Sequence, residues 1–460
     1  MRTVLTVNPS GEKDQASGAD ILQVNADRAP FEIPLAGLAR PVRLSADQLP
    51  DWAAPQGVQG RGRRVRDALR QHPGIAALLD TLENVPVDQV QPIFVRLRDG
   101  NAELIAWETL CDAKDRFVAL DRRWPVGRIS DPMAAGSRPS PVLRLPVRVM
   151  AAISALGVDG QKREWEWLRD AADAAHAEGL DVRLRVVVGD AAWRPEVEAA
   201  IAGGRSWLEV THVEKTGARL VQEIARWKPN VLHFFCHGHS GAAGQALVLG
   251  TASDFTNGAA TGSVKITIDN LGTLAQELPN PWLLTLNCCS GAEAASDLQS
   301  MAYHAVSSGF PAAVGMLEPV DASDAHEFTR AFYGTLFKQI RQASHALELN
   351  ARAPFEWAGI MYDARTAICQ LHANDAPSSR EWALPVLYVR GMDAPVFERP
   401  PVESEAAAAP FKLRARTFAA WLQGPGAAMT PELRLEIMKM TLHDVPASYW
   451  PSADGTFPDG

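Results

Sequence analysis

Residues 231–241 read VLHFFCHGHSG, and residues 282–292 read WLLTLNCCSGA. Each begins as a short run of apolar residues, nearly continuous in hydrophobicity, which is the pattern of a central strand covered on both faces. Each then breaks into small and polar residues. Outward from this pair lie four more short apolar runs: VRVMAAI at 147–153, VRLRVVV at 182–188, AAVGML at 312–317 and VLYVR at 386–390. The run at 182–188 alternates strictly and reads as an edge strand; those at 231, 282 and 312 read as the centre. The gaps hold amphipathic helices, with Trp165, Leu168, Ala172 and Ala175 on one face, Leu220, Val221, Ile224 and Ala225 on another, Leu298, Met301, Ala302 and Ala305 on a third, and Phe328, Ala331, Phe332 and Thr335 on a fourth. This alternation predicts an α/β chain, a doubly wound αβα sandwich with a mostly parallel central sheet. Ligands of such sheets bind beyond the carboxyl ends of the strands, where the strand order reverses. That is where the two quoted segments turn polar.

Two stretches rich in proline and small residues, at 124–146 (WPVGRISDPMAAGSRPSPVLRLP) and 395–410 (PVFERPPVESEAAAAP), read as linkers. They divide the chain into an N-terminal accessory region (1–140), the α/β domain (141–395) and a linker with a helical C-terminal tail (396–460). In the first part, RGRRVRDALRQ at 61–71 reads as a solvated basic helix face, and IFVRLRDGNAELIAWETL at 93–110 as a hairpin turning at Asp99 and Gly100. In the tail, TPELRLEIMKMTL reads as a helix with Thr430, its first residue, as the N-cap. Its roughly 50 residues are few for independent folding, so the tail is expected to pack on the domain or to meet a partner.

Composition narrows the function. The chain has 460 residues, 47% of them hydrophobic and 22% charged, with a formal net charge of -9. An acidic chain repels phosphate, so no direct nucleic-acid binding is expected. No stretch of about 18 apolar residues occurs and the first residues lack a signal peptide's apolar run, so a cytoplasmic protein without a membrane span is expected. The five cysteines, Cys111, Cys236, Cys288, Cys289 and Cys369, have no paired CxxC spacing. Neither a disulfide framework nor a metal site is predicted, and no cofactor is called for; a reactive thiol is the alternative to look for.

The two central segments supply one. His237 with Gly238 follows one strand, and Cys288, Cys289, Ser290 and Gly291 follow the other. If these strands are neighbours, imidazole and thiol meet at one edge of the sheet. Acyl hydrolysis by cysteine needs a base for the thiol, an acid for the leaving amine and N–H donors for the oxyanion. His237 serves as base and acid, while the backbone N–H groups of Gly238 and Cys289 are the candidate oxyanion donors. Side chains alternate along a strand, so only one of Cys288 and Cys289 can face the histidine. His233, His239, Cys236, Cys111 and Cys369 read as structural or peripheral. Asp254, in the glycine-rich loop after the histidine strand, is a candidate for the substrate pocket, where it would suit a basic side chain; a surface aspartate without that role is an equal reading.

HFFCHG followed by LNCCSG resembles the histidine-glycine and cysteine motifs of caspase-like peptidases, and most closely those of the bacterial CHAT branch. A histidine about 50 residues upstream of a cysteine with a glycine close behind fits His237, Cys289 and Gly291, although the residues flanking the cysteine depart from animal caspases. AWETL at 106–110, the stretch at 307–336 and WALPVLYVRG resemble further pieces of that family in the same order. The likeness covers roughly residues 106–391. It implies a caspase-like fold and an endopeptidase acting on a protein substrate, held in check until an activating protein or ligand releases it. The family's leucine-polar-small-nucleophile spacing from Leu286 selects Cys289, whereas counting back from Ser290 and Gly291 selects Cys288; Cys289 is taken as the nucleophile. Two other classes remain in view. A non-catalytic CHAT scaffold could serve assembly of a signalling or defence complex, but the intact dyad argues against it. An α/β-hydrolase would need a GxSxG elbow and a nucleophile that precedes the histidine, and neither is present.

Overall fold

The computed structural model describes residues 2–29, 33–98, 100–130, 142–241, 244–287, 295–318, 320–346, 352–391, 395–398, 405–442, 445 and 450–452. The chain opens with a hairpin of β1 (Arg2–Lys13) and β2 (Asp20–Ala29), with β3 (Ile33–Pro34) and β4 (Arg40–Arg43) pairing to β2. Helices α1 (Gly57–Leu69) and α2 (Pro73–Thr81) lead to β5 (Ile93–Leu97), one-turn α3 (Gly100–Glu103), β6 (Val126–Ser130) and β7 (Val142–Leu143). Regular alternation follows: β8 (Val147–Ser154), α4 (Gln161–Ala177), β9 (Val182–Val188), α5 (Arg194–Ala202), β10 (Leu208–His212), α6 (Gly217–Trp227) and β11 (Val231–Gly241). Next come β12 (Gly244–Leu249), α7 (Ala252–Thr256), β13 (Val264–Thr267), α8 (Ile268–Glu277), β14 (Leu283–Leu286), α9 (Ala295–Ser308), β15 (Ala312–Met316) and α10 (Ala322–Ala346). The chain continues through β16 (Arg352–Pro354), α11 (Ala358–Leu371), β17 (Pro385–Arg390), β18 (Val396–Glu398), α12 (Glu405–Gln423) and α13 (Pro431–Thr441).

All six apolar runs form strands of one sheet, ordered β10-β9-β8-β11-β14-β15-β17-β6-β5-β1-β2-β3. Pairing is parallel from β10 to β15, antiparallel between β15 and β17, and parallel again from β17 to β1. The fold is therefore α/β with a mostly parallel central sheet, as expected. From β8 the chain winds outward through β9 to β10, then returns and winds the other way through β11, β14 and β15. The order reverses between β8 and β11, so a crevice opens at their carboxyl ends.

Several expectations are corrected. β9 is not an edge, because β10 covers its outer side; the alternating Arg183 and Arg185 instead pair with Asp181, Glu209 and Glu223. The stretch at 124–146 is not wholly a linker, because Val126–Ser130 is a fully buried strand between β5 and β17; residues 131–141 lie outside the described residues. No hairpin turns at residues 99–100: β5 pairs in parallel with β1 and β6, and Asp99 lies outside the described residues. The stretch at 395–410 contains β18 and the start of α12. The boundary expected at 140/141 is crossed by one sheet and one hydrophobic core, in which Val4, Val7, Phe94 and Ile129 join Phe234, Leu284 and Val314. The compact units are Met1–Glu398 and Arg399–Gly460. The second has a small core of its own, Phe418, Leu422, Met438, Leu442 and Val445, and Thr430 caps α13 by accepting from Leu433 N–H.

A charge in the middle of this sheet explains AWETL. Arg128 of β6 is fully buried, and the Glu108 carboxylate meets its guanidinium through both oxygens, at 3.0 and 2.7 Å. The backbone carbonyls of Glu103 and Ile105 and the Tyr388 hydroxyl accept further bonds. Burial works against the Arg128 charge, but Glu108 outweighs it and raises the pKa. Arg365 of α11, also buried, donates to the carbonyls of Val126 and Pro385 and so ties β6 to β17.

Candidate functional site

β11 is longer than its apolar run. It pairs with β14 through Phe234 and with β8 through Cys236, then joins β12 from His237 onward, so the ladder continues to Gly241 after its parallel neighbours end. His237 thus stands where β11 leaves the parallel sheet, at the reversal of strand order. Gly238 follows within the β11–β12 pair, opposite Leu247.

The imidazole is held by a main-chain atom. His237 Nε2 lies 2.6 Å from the Leu156 carbonyl oxygen, just past the end of β8. A carbonyl only accepts, so Nε2 carries the hydrogen, and in the neutral ring the lone pair is on Nδ1. Nδ1 is buried and has no partner among the described residues. The turn that carries Leu156 is itself pinned: Ser154 Oγ donates to the Gly250 carbonyl at 2.6 Å, and Ala155 N–H donates to Gln161 Oε1 at 2.9 Å.

Cys288, Cys289, Ser290 and Gly291 lie outside the described residues, so the choice between the two cysteines stands as the sequence leaves it. Described residues resume at Ala295. The described residue that precedes the two cysteines, Asn287, is fully buried, and its amide nitrogen reaches Glu164 Oε1 at 2.8 Å, the Ala325 carbonyl at 2.8 Å and Thr329 Oγ1 at 2.9 Å. Glu164 is fully buried as well; His326 Nδ1 lies 2.8 Å from Oε2, and His233 Nε2 lies 2.9 Å from Oε1 in poorer alignment. Burial pushes this carboxyl up, but His233 and His326 outweigh it and hold the pKa at about 2. Sequence reasoning placed His233 as structural and missed Glu164, His326 and Asn287. The available signal was a glutamate on the buried stripe of α4, four residues before Leu168.

The remaining candidates fall elsewhere. The Asp254 carboxylate, expected at the substrate pocket, is consumed as a helix cap: Oδ2 accepts from Thr251 N–H and Oγ and from Ser263 N–H and Oγ. Burial opposes its charge, yet these donors hold its pKa below the usual carboxylate range. Asp254 thus has a capping role at α7, and its place in a substrate pocket stands as the sequence leaves it. His239 is exposed, while Cys236, Cys111 and Cys369 are buried thiols. Burial pushes Cys111 up to about 12 and raises Cys369, which makes both poor thiolates. No group of three or more metal-ligating side chains occurs among the described residues, and none of their helices is long and apolar enough to cross a membrane.

A family model for the CHAT domain matches residues 60–364, more than half of the chain. The chain belongs to the CHAT domain family. The CHAT match runs from α1 into α11 and takes in His237, Asn287 and both site cysteines; it begins inside the region that the sequence sets apart as accessory. Two solved structures of the Saccharomyces cerevisiae separase-securin complex are similar to this CHAT chain. The one at 2.6 Å is 11% identical with a TM-score of 0.34, covering 72% of this chain and 17% of that chain. The one at 3.0 Å is 12% identical with a TM-score of 0.32, covering 71% and 17%. The CHAT chain thus spans less than a fifth of the length of either. No curated protein is similar enough to count as a relative.

Proposed function

We propose that this CHAT protein is a cysteine endopeptidase with Cys289 as nucleophile and His237 as its base and acid. The observation that carries the reading is the imidazole at the strand-order reversal, with Nε2–H committed to the Leu156 carbonyl and Nδ1 buried without a partner among the described residues. Sequence spacing is in keeping with Cys289: the four β11 residues that pair with β14 face residues 52 positions further on, from Val231 opposite Leu283 to Phe234 opposite Leu286, and Cys289 stands 52 positions after His237 in the sequence.

In this reading Nδ1 takes the thiol proton and the thiolate sulfur bonds to the scissile carbonyl carbon, while the N–H groups of Gly238 and Cys289 receive the oxyanion. The imidazolium now carries hydrogen on both nitrogens, and the Leu156 carbonyl stabilises it by accepting from Nε2. The C–N bond breaks as Nδ1–H protonates the departing amine, leaving a thioester. Water then loses a proton to Nδ1 and bonds to the acyl carbon, the C–S bond breaks, and the thiol recovers its proton.

The substrate in this proposal is a protein, and a partner protein or ligand switches the enzyme on, because an unrestrained endopeptidase would cut the proteins around it. Cleavage of a mixed peptide library by the purified chain, alone and with the products of neighbouring genes, tests both parts. Cleavage that needs a neighbour and is lost in Cys289→Ala is expected. Full turnover by the chain alone would remove the switch, and no turnover under any condition, with Cys289 inert to iodoacetamide, would favour the non-catalytic scaffold.

A further inference from the structure

The first turn of α4 bonds to a residue next to the Leu156 carbonyl and to the residue that precedes the two cysteines. Gln161 Oε1 accepts from Ala155 N–H, next to the Leu156 carbonyl that holds His237. Glu164, one turn further on the same helix face, accepts from Asn287, which directly precedes the cysteine pair. Gln161 and Glu164 are both buried.

We propose that Glu164 is a positioning residue: through Asn287 its carboxylate sets where the nucleophile segment starts relative to His237, so that one helix turn gauges the separation of base and thiol. This rests on the reading of Cys289 as nucleophile.

The hydrogen bonds leave little freedom. An Asn amide has two hydrogens and meets three acceptors, the Ala325 carbonyl, Glu164 Oε1 and Thr329 Oγ1. The Thr329 hydroxyl spends its own hydrogen on Glu164 Oε1, at 2.5 Å. Asn287 is therefore tied to α4 by a carboxylate and to α10 by a hydroxyl and a carbonyl, in a place closed to water. The amide nitrogen is fully committed, while Asn287 Oδ1 is buried without a partner among the described residues, so any other placement of the amide gives up these bonds. A displacement of about 1 Å in a reacting group can cost about a hundredfold in rate, so a tether two residues before the nucleophile bears directly on turnover.

The test uses the full chain under whatever conditions give cleavage, with Cys289→Ala as the reference. Glu164→Gln and the isosteric Thr329→Val are expected to lower kcat at least about tenfold with KM changed less than about twofold, and to slow iodoacetamide labelling of Cys289. Thr329→Ser, which keeps the hydroxyl, restores the rate. Asn287→Asp supplies the signature that a merely structural role would not give. Its carboxylate would face that of Glu164, with His233 on β11 and His326 and Tyr333 on α10 as the other titratable groups around the pair. Turnover relative to the unchanged chain should be low at neutral pH and recover on acidification, as the two carboxyls come to share a proton. Folded Glu164→Gln and Thr329→Val that turn over like the unchanged chain, or an Asn287→Asp ratio that is flat with pH, overturn the positioning role. Cleavage that survives in Cys289→Ala overturns the nucleophile instead, and the positioning role with it.

Discussion

Glu108→Gln removes the carboxylate that meets the Arg128 guanidinium in the middle of the sheet. In the unchanged chain Arg128 has no exposed surface and meets both Glu108 oxygens. The substitution keeps volume and hydrogen-bonding shape but leaves the charge uncompensated. Breaking a buried ion pair from one side typically costs about 3–5 kcal/mol. The carbonyls of Glu103 and Ile105 stay in place and soften the loss. Arg365 acts the other way: burial already lowers its pKa to about 10, Glu108 partly offsets this, and Arg128 adds to it, so two buried guanidiniums would be left sharing the region. The expected cost is about 4 kcal/mol, or about a thousandfold in the folded-to-unfolded ratio. Urea unfolding followed by tryptophan fluorescence and by far-ultraviolet circular dichroism measures it, with Trp107 and Trp382 buried in the same core as reporters. The double variant Glu108→Leu with Arg128→Met should recover most of the loss, because a packed apolar pair has no charge to desolvate. A Glu108→Gln cost below about 1 kcal/mol would refute the reasoning, since the pair would then contribute no more than a solvent-exposed one.

Cys289→Ala should abolish cleavage, a loss of at least about a thousandfold, and Cys288→Ala should not; the reverse pattern, read in the same peptide assay, would move the nucleophile by one residue. The folded-state pKa of Glu164 is about 2, below its ordinary 4.5, so its contribution to stability is fully present above about pH 4.5 and is lost as pH falls towards 2. That contribution is about 3 kcal/mol, and Glu164→Gln should lack this part of the acid dependence of the urea midpoint; identical acid slopes would contradict it. Asp254→Ala should cost about 1 kcal/mol as a lost helix cap and leave the cleavage-site profile unchanged, whereas a lost preference for basic residues would place Asp254 in the pocket.

The legible part of the fold was the part whose strands are covered on both faces. β8, β14, β15 and β17 are nearly continuous in apolar character and stand close to their expected bounds, because burial from both sides leaves no room for alternation, whereas β11 starts as expected and runs past its apolar part to Gly241. β1 and β2 carry polar residues at every few positions, and β6 puts an arginine at its centre, so they are recognisable only through partners far away in the chain. Proline around β6 and β18 pointed to linkers because proline marks turns locally and says nothing of sheet pairing. At the site, His237 could be found from its strand and its glycine. The Leu156 carbonyl could not, since a backbone oxygen is the same in every residue, and Glu164 was hidden in an otherwise ordinary amphipathic helix.

That backbone oxygen bears on how the gene tolerates change. Allele by allele, position 156 should accept other apolar residues, although one of its atoms sits against the His237 imidazole, because no coding change deletes a carbonyl. Vulnerability passes to neighbours that set the course of the main chain: Gly157 and Gly160, with φ of 72° and 82°, occupy the left-handed region, and a Cβ on Gly160 would sit 3.3 Å from His326 Nε2. Loss-of-function alleles should therefore cluster beside the contact instead of on it, and a comparison of side chains alone would overlook the residue that orients the base.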